Sequence, residues 1–166
     1  PALSNAFVNK GINAFQSSDF ETSYNQFEKA IQISTLTFRI DTQIYYYASL
    51  AAMRSKKFEE AISLNDFLIG ANYGIDNKEK VSVYVNQAMA LKETGDTAKM
   101  LKVLEDGIAK FPNDNYPLVI ETFNYYVASG NDEKAREYIN MAMQNDPNNA
   151  QFLVIRGTLS QEMKDN

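Results

Sequence analysis

Adjacent carboxylates are the residues of this chain whose type and spacing could support acid–base chemistry. Two such pairs are Glu59-Glu60 and Asp132-Glu133. Such a pair can work as general acid and base when its surroundings shift the pKa of one member. Both pairs, however, fall in the first turn of a helix in our interpretation, where the helix dipole stabilises negative charge. We therefore expect a structural role for both pairs.

Histidine and cysteine are both absent from the sequence. Their absence removes Ser-His-Asp and Cys-His catalysis, zinc sites built on nitrogen or sulfur ligands, and disulfides. The seven glycines form no loop of the kind that cradles a phosphate. Only carboxylates, hydroxyls and lysines remain, and they form no convergent group in the sequence. We expect no enzymatic activity, no metal and no cofactor.

The charge and hydropathy patterns narrow the class of partner. The formal net charge is −5, and the lysines and arginines are scattered along the chain rather than gathered in a stripe. This pattern argues against DNA or RNA, because neutralising phosphates dominates nucleic-acid affinity. No apolar run reaches the roughly 18 residues that cross a bilayer, so we expect no membrane insertion of this segment. Because 45% of the residues are hydrophobic, the chain can bury one substantial core, and we expect residues 1–166 to fold as one domain.

One sequence unit occurs at least twice in this chain. Gly95-Asp96 and Gly130-Asn131 lie 35 residues apart, and residues 111–114 (FPND) recur at the same distance as residues 146–149 (DPNN). A glycine with positive φ can end one helix, and the polar residue after it can cap the next. The proline then closes the unit because it cannot continue a helix. The pattern predicts repeated helical hairpins.

The residues that fill this pattern resemble tetratricopeptide repeats, in which two helices with characteristic apolar positions are followed by a proline. The third repeat supplies Tyr84, Ala88, Leu91, Gly95, Met100, Leu104, Gly107 and Pro112. The fourth supplies Val119, Phe123, Tyr126, Gly130, Ala135, Ile139, Ala142 and Pro147. Gln87 and Thr122 depart from the family pattern, which has apolar residues there, and Phe123 replaces a small residue.

The resemblance implies an all-α fold, an α-solenoid of about four helical hairpins in a right-handed superhelix. The repeats span about 4–37, 42–75, 81–114 and 116–149, and a capping helix follows at 149–163, with Asn149 as its cap. Predicted helices cover 4–16, 20–33, 38–54, 58–71, 77–94, 97–111, 115–129, 132–145 and 149–163. The second repeat is the weakest, with Lys56-Lys57 at its joint and Asn65 in place of a bulky residue. Asp76 and Glu79 are typical of a capping box.

Tetratricopeptide repeats bind partners on an inner wall that the first helix of each repeat lines. The corresponding residues here are Val8, Ile12, Phe15, Tyr46, Leu50, Met53, Val85, Met89, Ile120 and Asn124. All except Asn124 are apolar or aromatic, and a contiguous exposed apolar surface usually marks an interaction site. We predict a non-catalytic scaffold that binds a helix or peptide of a partner protein in this apolar concave groove.

Other interpretations of the same wall stay open. Neighbouring first helices could cover these residues without any ligand, and core packing accounts better for the run Tyr45-Tyr46-Tyr47. The wall could also meet another copy of the chain or a flank of a longer protein, so a homo-oligomer is left open. Binding of a chaperone's C-terminal carboxylate is disfavoured, because the residues of the family's carboxylate clamp are replaced by Val8, Ile12, Tyr47, Ser82 and Asn86.

The composition also bears on the cellular compartment of the protein. The abundance of asparagine, tyrosine and lysine, with the unit ends at 111–114 and 146–149, is similar to exported repeat proteins of Gram-negative bacteria. This likeness favours a periplasmic or otherwise exported protein over a cytoplasmic adaptor, and both stay open.

Overall fold

Helices make up almost all of the chain in the computed structural model, which describes residues 2–145, 147–148 and 150–165. Within these residues there is no strand, and the elements are α1 Ala2–Gln16, α2 Phe20–Leu36, α3 Thr42–Arg54, α4 Phe58–Gly70, α5 Asn77–Glu93, α6 Thr97–Lys110, α7 Tyr116–Ala128, α8 Asp132–Asn145 and α9 Ala150–Asp165. The all-α prediction is confirmed, and each observed helix overlaps one predicted helix.

The chain divides into two compact units, an N-terminal unit Pro1–Met100 and a C-terminal unit Leu101–Asn166. In the N-terminal unit each helix packs on the next, from α1 to α5. In the C-terminal unit α7 packs on α8 and α8 on α9. Short connections between packed helices require an antiparallel arrangement. The expectation of a single domain stays a prediction.

Each unit has its own apolar core. The N-terminal core is rich in alanine, which allows close approach of the helices, and comprises Tyr24, Phe27, Ala30, Ile44, Ala48, Ala51, Ala52, Ala61 and Ala90. The C-terminal core contains more bulky residues, namely Val119, Phe123, Ala135, Tyr138, Ile139, Ala142 and Phe152. These residues recur at helical spacing in the sequence, so the periodicity correctly indicated the buried faces.

The predicted joints between the helices of a repeat are confirmed. Gly95 and Gly130 have φ of 79° and 69°, the left-handed conformation that ends a helix. The backbone N–H of Lys99 donates to Asp96 Oδ1 (3.1 Å), and the N–H of Lys134 donates to Asn131 Oδ1 (3.1 Å). One residue therefore stops each helix and the next residue caps the helix that follows.

The first two joints use the same geometry without glycine. Ser18 and Lys56 both have φ of 62°. After Lys56, the N–H of Lys57 donates to the carbonyl of Ala52 (2.8 Å), the hydrogen bond that closes a left-handed helix end. A side chain in this conformation is strained, because its Cβ lies too close to the backbone.

Replacing Lys56 by glycine should therefore stabilise the protein. We expect Lys56→Gly to raise the free energy of unfolding by about 0.5–1 kcal/mol, since the relief of strain exceeds the entropy that glycine adds to the unfolded chain. Denaturant titration would measure the change. Lys56→Ala is the control, because it removes the charge but keeps the Cβ; equal stabilities of the two variants would show that strain at this residue is not the cause.

The largest boundary error lies between the first two repeats. The second helix continues to Leu36 rather than ending at residue 33, and α3 begins at Thr42 rather than at residue 38. Asp41 Oδ1 accepts from the N–H of Gln43 (3.0 Å), which places the cap of α3 later than predicted. The turn between the two helices includes Phe38, which has φ of 54° although it is a bulky residue.

The predicted capping box of α5 is confirmed at Asp76 but not at Glu79. Asp76 Oδ1 accepts from the N–H of Glu79 (2.9 Å), as a capping box requires. The Glu79 carboxylate, however, accepts from the N–H of Ile75 (2.8 Å), one residue before the cap. Asn149, predicted to cap the last helix, lies outside the described residues.

The two carboxylate pairs, Glu59-Glu60 and Asp132-Glu133, lie in the first turns of α4 and α8, as expected from the helix dipole.

Candidate partner-binding site

A cleft of about 280 Å³ lies in the N-terminal unit among α1, α2 and α3. The residues that line this α1–α3 cleft are Ile12, Phe15, Gln16, Phe27, Tyr47 and Leu50. A closed apolar cavity of about 150 Å³ is sufficient to hold benzene, so the cleft has room for at least one large side chain. Among its described lining residues there is no Asp, Glu, Lys or Arg. The cleft is therefore suited to apolar contacts rather than to acid–base chemistry.

Helical spacing places the lining residues on facing surfaces. Ile12 and Phe15 are three residues apart on α1, and Tyr47 and Leu50 are three apart on α3, so each pair lies on one helix face. Phe27 enters from α2. The nearest atom of its ring lies only 2.8 Å from the ideal position of a Cβ on Gly11, which is too close for a side chain at that residue. The absence of a side chain at Gly11 thus allows Phe27 to reach the cleft.

Ring contacts hold the aromatic side chains of the cleft in place. The Phe27 and Tyr47 rings are stacked with centroids 5.9 Å apart, and Phe15 meets Phe20 edge-on at 5.1 Å. Gln43 Nε2 donates to the Tyr47 hydroxyl (3.4 Å). The rings on both sides of the cleft are therefore positioned by neighbours in the same unit before any ligand arrives.

The predicted groove residues separate into several groups. Ile12, Phe15 and Leu50 line the cleft together, while Val8 and Met53 are half-buried and pack against the N-terminal core beside it. Val85 on α5 is half-buried and Met89 is 45% exposed. In the C-terminal unit Ile120 packs against the core and Asn124 is exposed. A role of any of these residues in binding stays a prediction.

Tyr46, the remaining predicted groove residue, does not line the cleft. Its ring stacks on Tyr73 in the α4–α5 connection, with centroids 5.1 Å apart. Burial raises the pKa of Tyr73, and the negative charge of Glu79 raises it further. Tyr45 in turn stacks on Phe67 at 4.2 Å. Each tyrosine of the run therefore packs on another ring, as expected if the run serves packing.

Gln16 and Phe27 line the cleft but were absent from the predicted groove. Phe27 belongs to the second helix of its repeat, which the family pattern assigns to the core. Tyr47 also lines the cleft, and it was predicted as a groove contact only as part of the tyrosine run, for which packing was favoured. The signal that could have found Phe27 is Gly11, because a glycine inside a helix often marks a place where another group approaches closely. Gln16 lies four residues after Ile12 on the same face.

Within the described residues, no group of three or more acidic side chains is arranged to hold a metal ion. Among the same residues, no helix has the length and apolar character that crossing a membrane requires.

Comparisons with known proteins identify the fold. No protein-family model and no curated protein matches the sequence. Among solved structures, a TPR repeats protein of Bacteroides fragilis matches with a TM-score of 0.57 and 17% identity, over 97% of this chain and 85% of that chain. A thermophilic TPR protein of Thermus thermophilus superposes less closely, with a TM-score of 0.40 and 12% identity, over 95% and 99%. On the strength of the first match, this chain has the fold of the tetratricopeptide-repeat proteins.

Proposed function

We propose that this chain is a non-catalytic scaffold that binds an apolar helix or peptide of a partner protein in the α1–α3 cleft. The observation that carries the proposal is the lining of the cleft, in which Gln16 is the one residue that is neither apolar nor aromatic. Small-molecule and peptide sites are concave and mostly apolar in the same way. The rings of Phe27 and Tyr47 are already ordered, so little entropy is lost when a ligand binds.

The apolar surface continues along both helices that flank the cleft. Val8, Ile12 and Phe15 follow one another at spacings of four and three on α1, and Leu50 and Met53 do so at three on α3. An amphipathic helix presents its anchors at the same intervals. Burying one leucine-sized anchor contributes about 1.5–3 kcal/mol, so two or three anchors support micromolar binding after association entropy is subtracted.

Selection from a random peptide library would test this proposal, because it requires no knowledge of the partner. We expect the selected peptides to carry apolar residues at intervals of three or four, and to lose affinity about tenfold or more on Leu50→Lys, the loss of one apolar anchor. Fluorescence polarisation with labelled peptides would measure the affinity.

A matched control variant distinguishes an effect at the cleft from a general effect of an added positive charge on binding. Val154 on α9 is 68% exposed and is not one of the residues that line the cleft, so Val154→Lys introduces the same charge without changing that lining. We expect this variant to bind the selected peptides as the unchanged protein does. Equal loss of affinity in both variants, or no loss in Leu50→Lys, would overturn the proposal. Circular dichroism would verify that both variants keep their helices.

Self-association is the second candidate function, and an exposed apolar turn supports it. Leu36, Phe38 and Ile40 lie in or beside the turn between α2 and α3, and Phe38 is 95% exposed. Such a patch could meet another copy of the chain. Light scattering over a range of concentrations decides the matter, because a monomer at every concentration would exclude this function.

A further inference from the structure

A second cleft, of about 300 Å³, lies between α2 and α4. Tyr24, Ile31 and Leu64 form the apolar part of this α2–α4 cleft, and Glu28 and Glu60 line it from the two helices. Helical spacing accounts for the arrangement, because Tyr24, Glu28 and Ile31 follow at intervals of four and three on α2. The cleft thus combines an apolar surface with a carboxylate from each helix.

Neither carboxylate is neutralised within the protein. Glu28 and Glu60 are exposed, and neither has an ion pair or a side-chain hydrogen bond within the described part of the chain. The nearby ammonium of Lys57 pairs instead with Glu21, at 3.8 Å. Two like charges at one cleft repel each other, and a cation placed between them relieves the repulsion.

Tyr24 adds a polar atom to the same cleft. Its side chain lines the cleft and is 8% exposed, and its hydroxyl, which is not among the fully buried atoms, has no hydrogen-bond partner among the described residues. Burial raises the pKa of Tyr24, and the negative charges of Glu28 and Glu60 raise it further, which places both carboxylates within electrostatic reach of the phenol. The Lys57 ammonium lies 5.6 Å from the centroid of the ring, so this environment already accommodates one cation.

We propose that the α2–α4 cleft binds a lysine side chain of a partner protein, with its methylene stem against Ile31 and Leu64 and its ammonium between Glu28 and Glu60. Lysine fits both parts of the cleft, because it packs its stem on apolar surface while its charge stays in contact with water. The ammonium supplies three donors, for the two carboxylates and the Tyr24 hydroxyl. The negative net charge of the chain also attracts a basic partner.

Titration of ¹⁵N-labelled protein with an acetylated and amidated pentalysine peptide at low ionic strength tests the proposal. We expect the amide signals that move on peptide addition to be those around Tyr24 on α2 and around Glu60 on α4. The double variant Glu28→Gln/Glu60→Gln should weaken binding by about fivefold or more, since it removes two partly screened charge pairs. Amide shifts confined to other helices would overturn the proposal.

Matched variants distinguish binding in this cleft from general electrostatic attraction. Glu93→Gln/Glu105→Gln removes the same number of charges at exposed positions outside the cleft, and we expect it to change pentalysine binding by less than about twofold. Equal weakening by both double variants would show general attraction only and would overturn the proposal. So would a dimer that dissociates when Glu28 and Glu60 are replaced, since a second copy would then occupy the cleft.

The α2–α4 cleft stands apart from the function proposed above. It uses α2 and α4, whereas the peptide site lies at α1 and α3 with Phe27. Leu50→Lys should therefore weaken binding of the selected apolar peptides about tenfold or more and leave pentalysine binding within about twofold. Failure of one site would leave the other intact, so the two proposals can be judged separately.

Discussion

Gly11→Ala is expected to destabilise the protein by about 1–2 kcal/mol, although alanine is the better helix former by about 1 kcal/mol. The added Cβ would lie 2.8–3.0 Å from three carbon atoms of the Phe27 ring. That ring is 1% exposed and stacked on Tyr47, so a shift of the ring towards the cleft would disturb this stacking. Overpacking of this kind costs about 1–3 kcal/mol and outweighs the gain in helix propensity. Thermal and denaturant unfolding would measure the loss.

Two further variants test the cause of this loss. Gly70, the last residue of α4, has nothing within 4 Å of an added Cβ, so Gly70→Ala should be neutral or stabilising. Gly11→Ala combined with Phe27→Leu should be more stable than the sum of the single changes predicts, because the smaller side chain makes room. The third repeat has this pair, Ala88 and Leu104, at the corresponding sequence positions. Additive losses would show that Gly11 does not act through Phe27.

Asn65→Leu is expected to stabilise the protein by about 1–3 kcal/mol. Asn65 is fully buried in α4, and neither its Oδ1 nor its Nδ2 has a hydrogen-bond partner within the described residues. A buried amide without partners costs about 1–3 kcal/mol. The corresponding residues of the other repeats are Phe27, Leu104 and Ile139, all at most 1% exposed, so this position of the repeat accommodates a bulky apolar side chain. Denaturant titration with an unchanged m-value would establish the gain.

The control for this prediction is Asn140→Leu on α8. Asn140 is exposed, so the change there reports the difference in helix propensity, which we expect to stay within about 0.5 kcal/mol. A loss of stability in Asn65→Leu would mean that the amide is hydrogen-bonded in solution and contributes to the fold. Asn65→Leu would also give the second repeat, the weakest in sequence, a bulky apolar residue where the other repeats have Phe27, Leu104 and Ile139.

Local signals were sufficient to predict the helices. Gly95 and Gly130 end their helices with positive φ, and the polar residue that follows each one caps the next helix, so a few adjacent residues specify each joint. The same geometry at Ser18 and Lys56 shows that the joint persists where glycine is missing. The packing of the whole hairpin there imposes a conformation that the residue itself disfavours.

Where local signals were weak, the helix boundaries were wrong. The segment between Leu36 and Thr42 contains no glycine or proline, so nothing in it marked the end of α2. The helix ends at Leu36, and the left-handed residue that follows is Phe38, a bulky residue that rarely adopts this conformation. Asp41 then caps α3 well after the predicted start of that helix.

The sequence predicts the lining of the α1–α3 cleft only in part. Helical spacing and the repeat pattern placed Ile12, Phe15 and Leu50 on first helices, and these three residues do line one cleft. Phe27 and Tyr47 join them only because Gly11 allows α2 to approach α1 closely, and because the Phe27 and Tyr47 rings then stack.

Periodicity and capping residues alone specify the helices, their order and their apolar faces, because those properties depend on residues close together in the chain. The tertiary structure decides which faces meet, which side chains line the two clefts and which carboxylates stay unpaired. The physical reason is that these properties depend on the volumes and rotations of side chains far apart in the sequence, whose contacts exist only after the helices have packed.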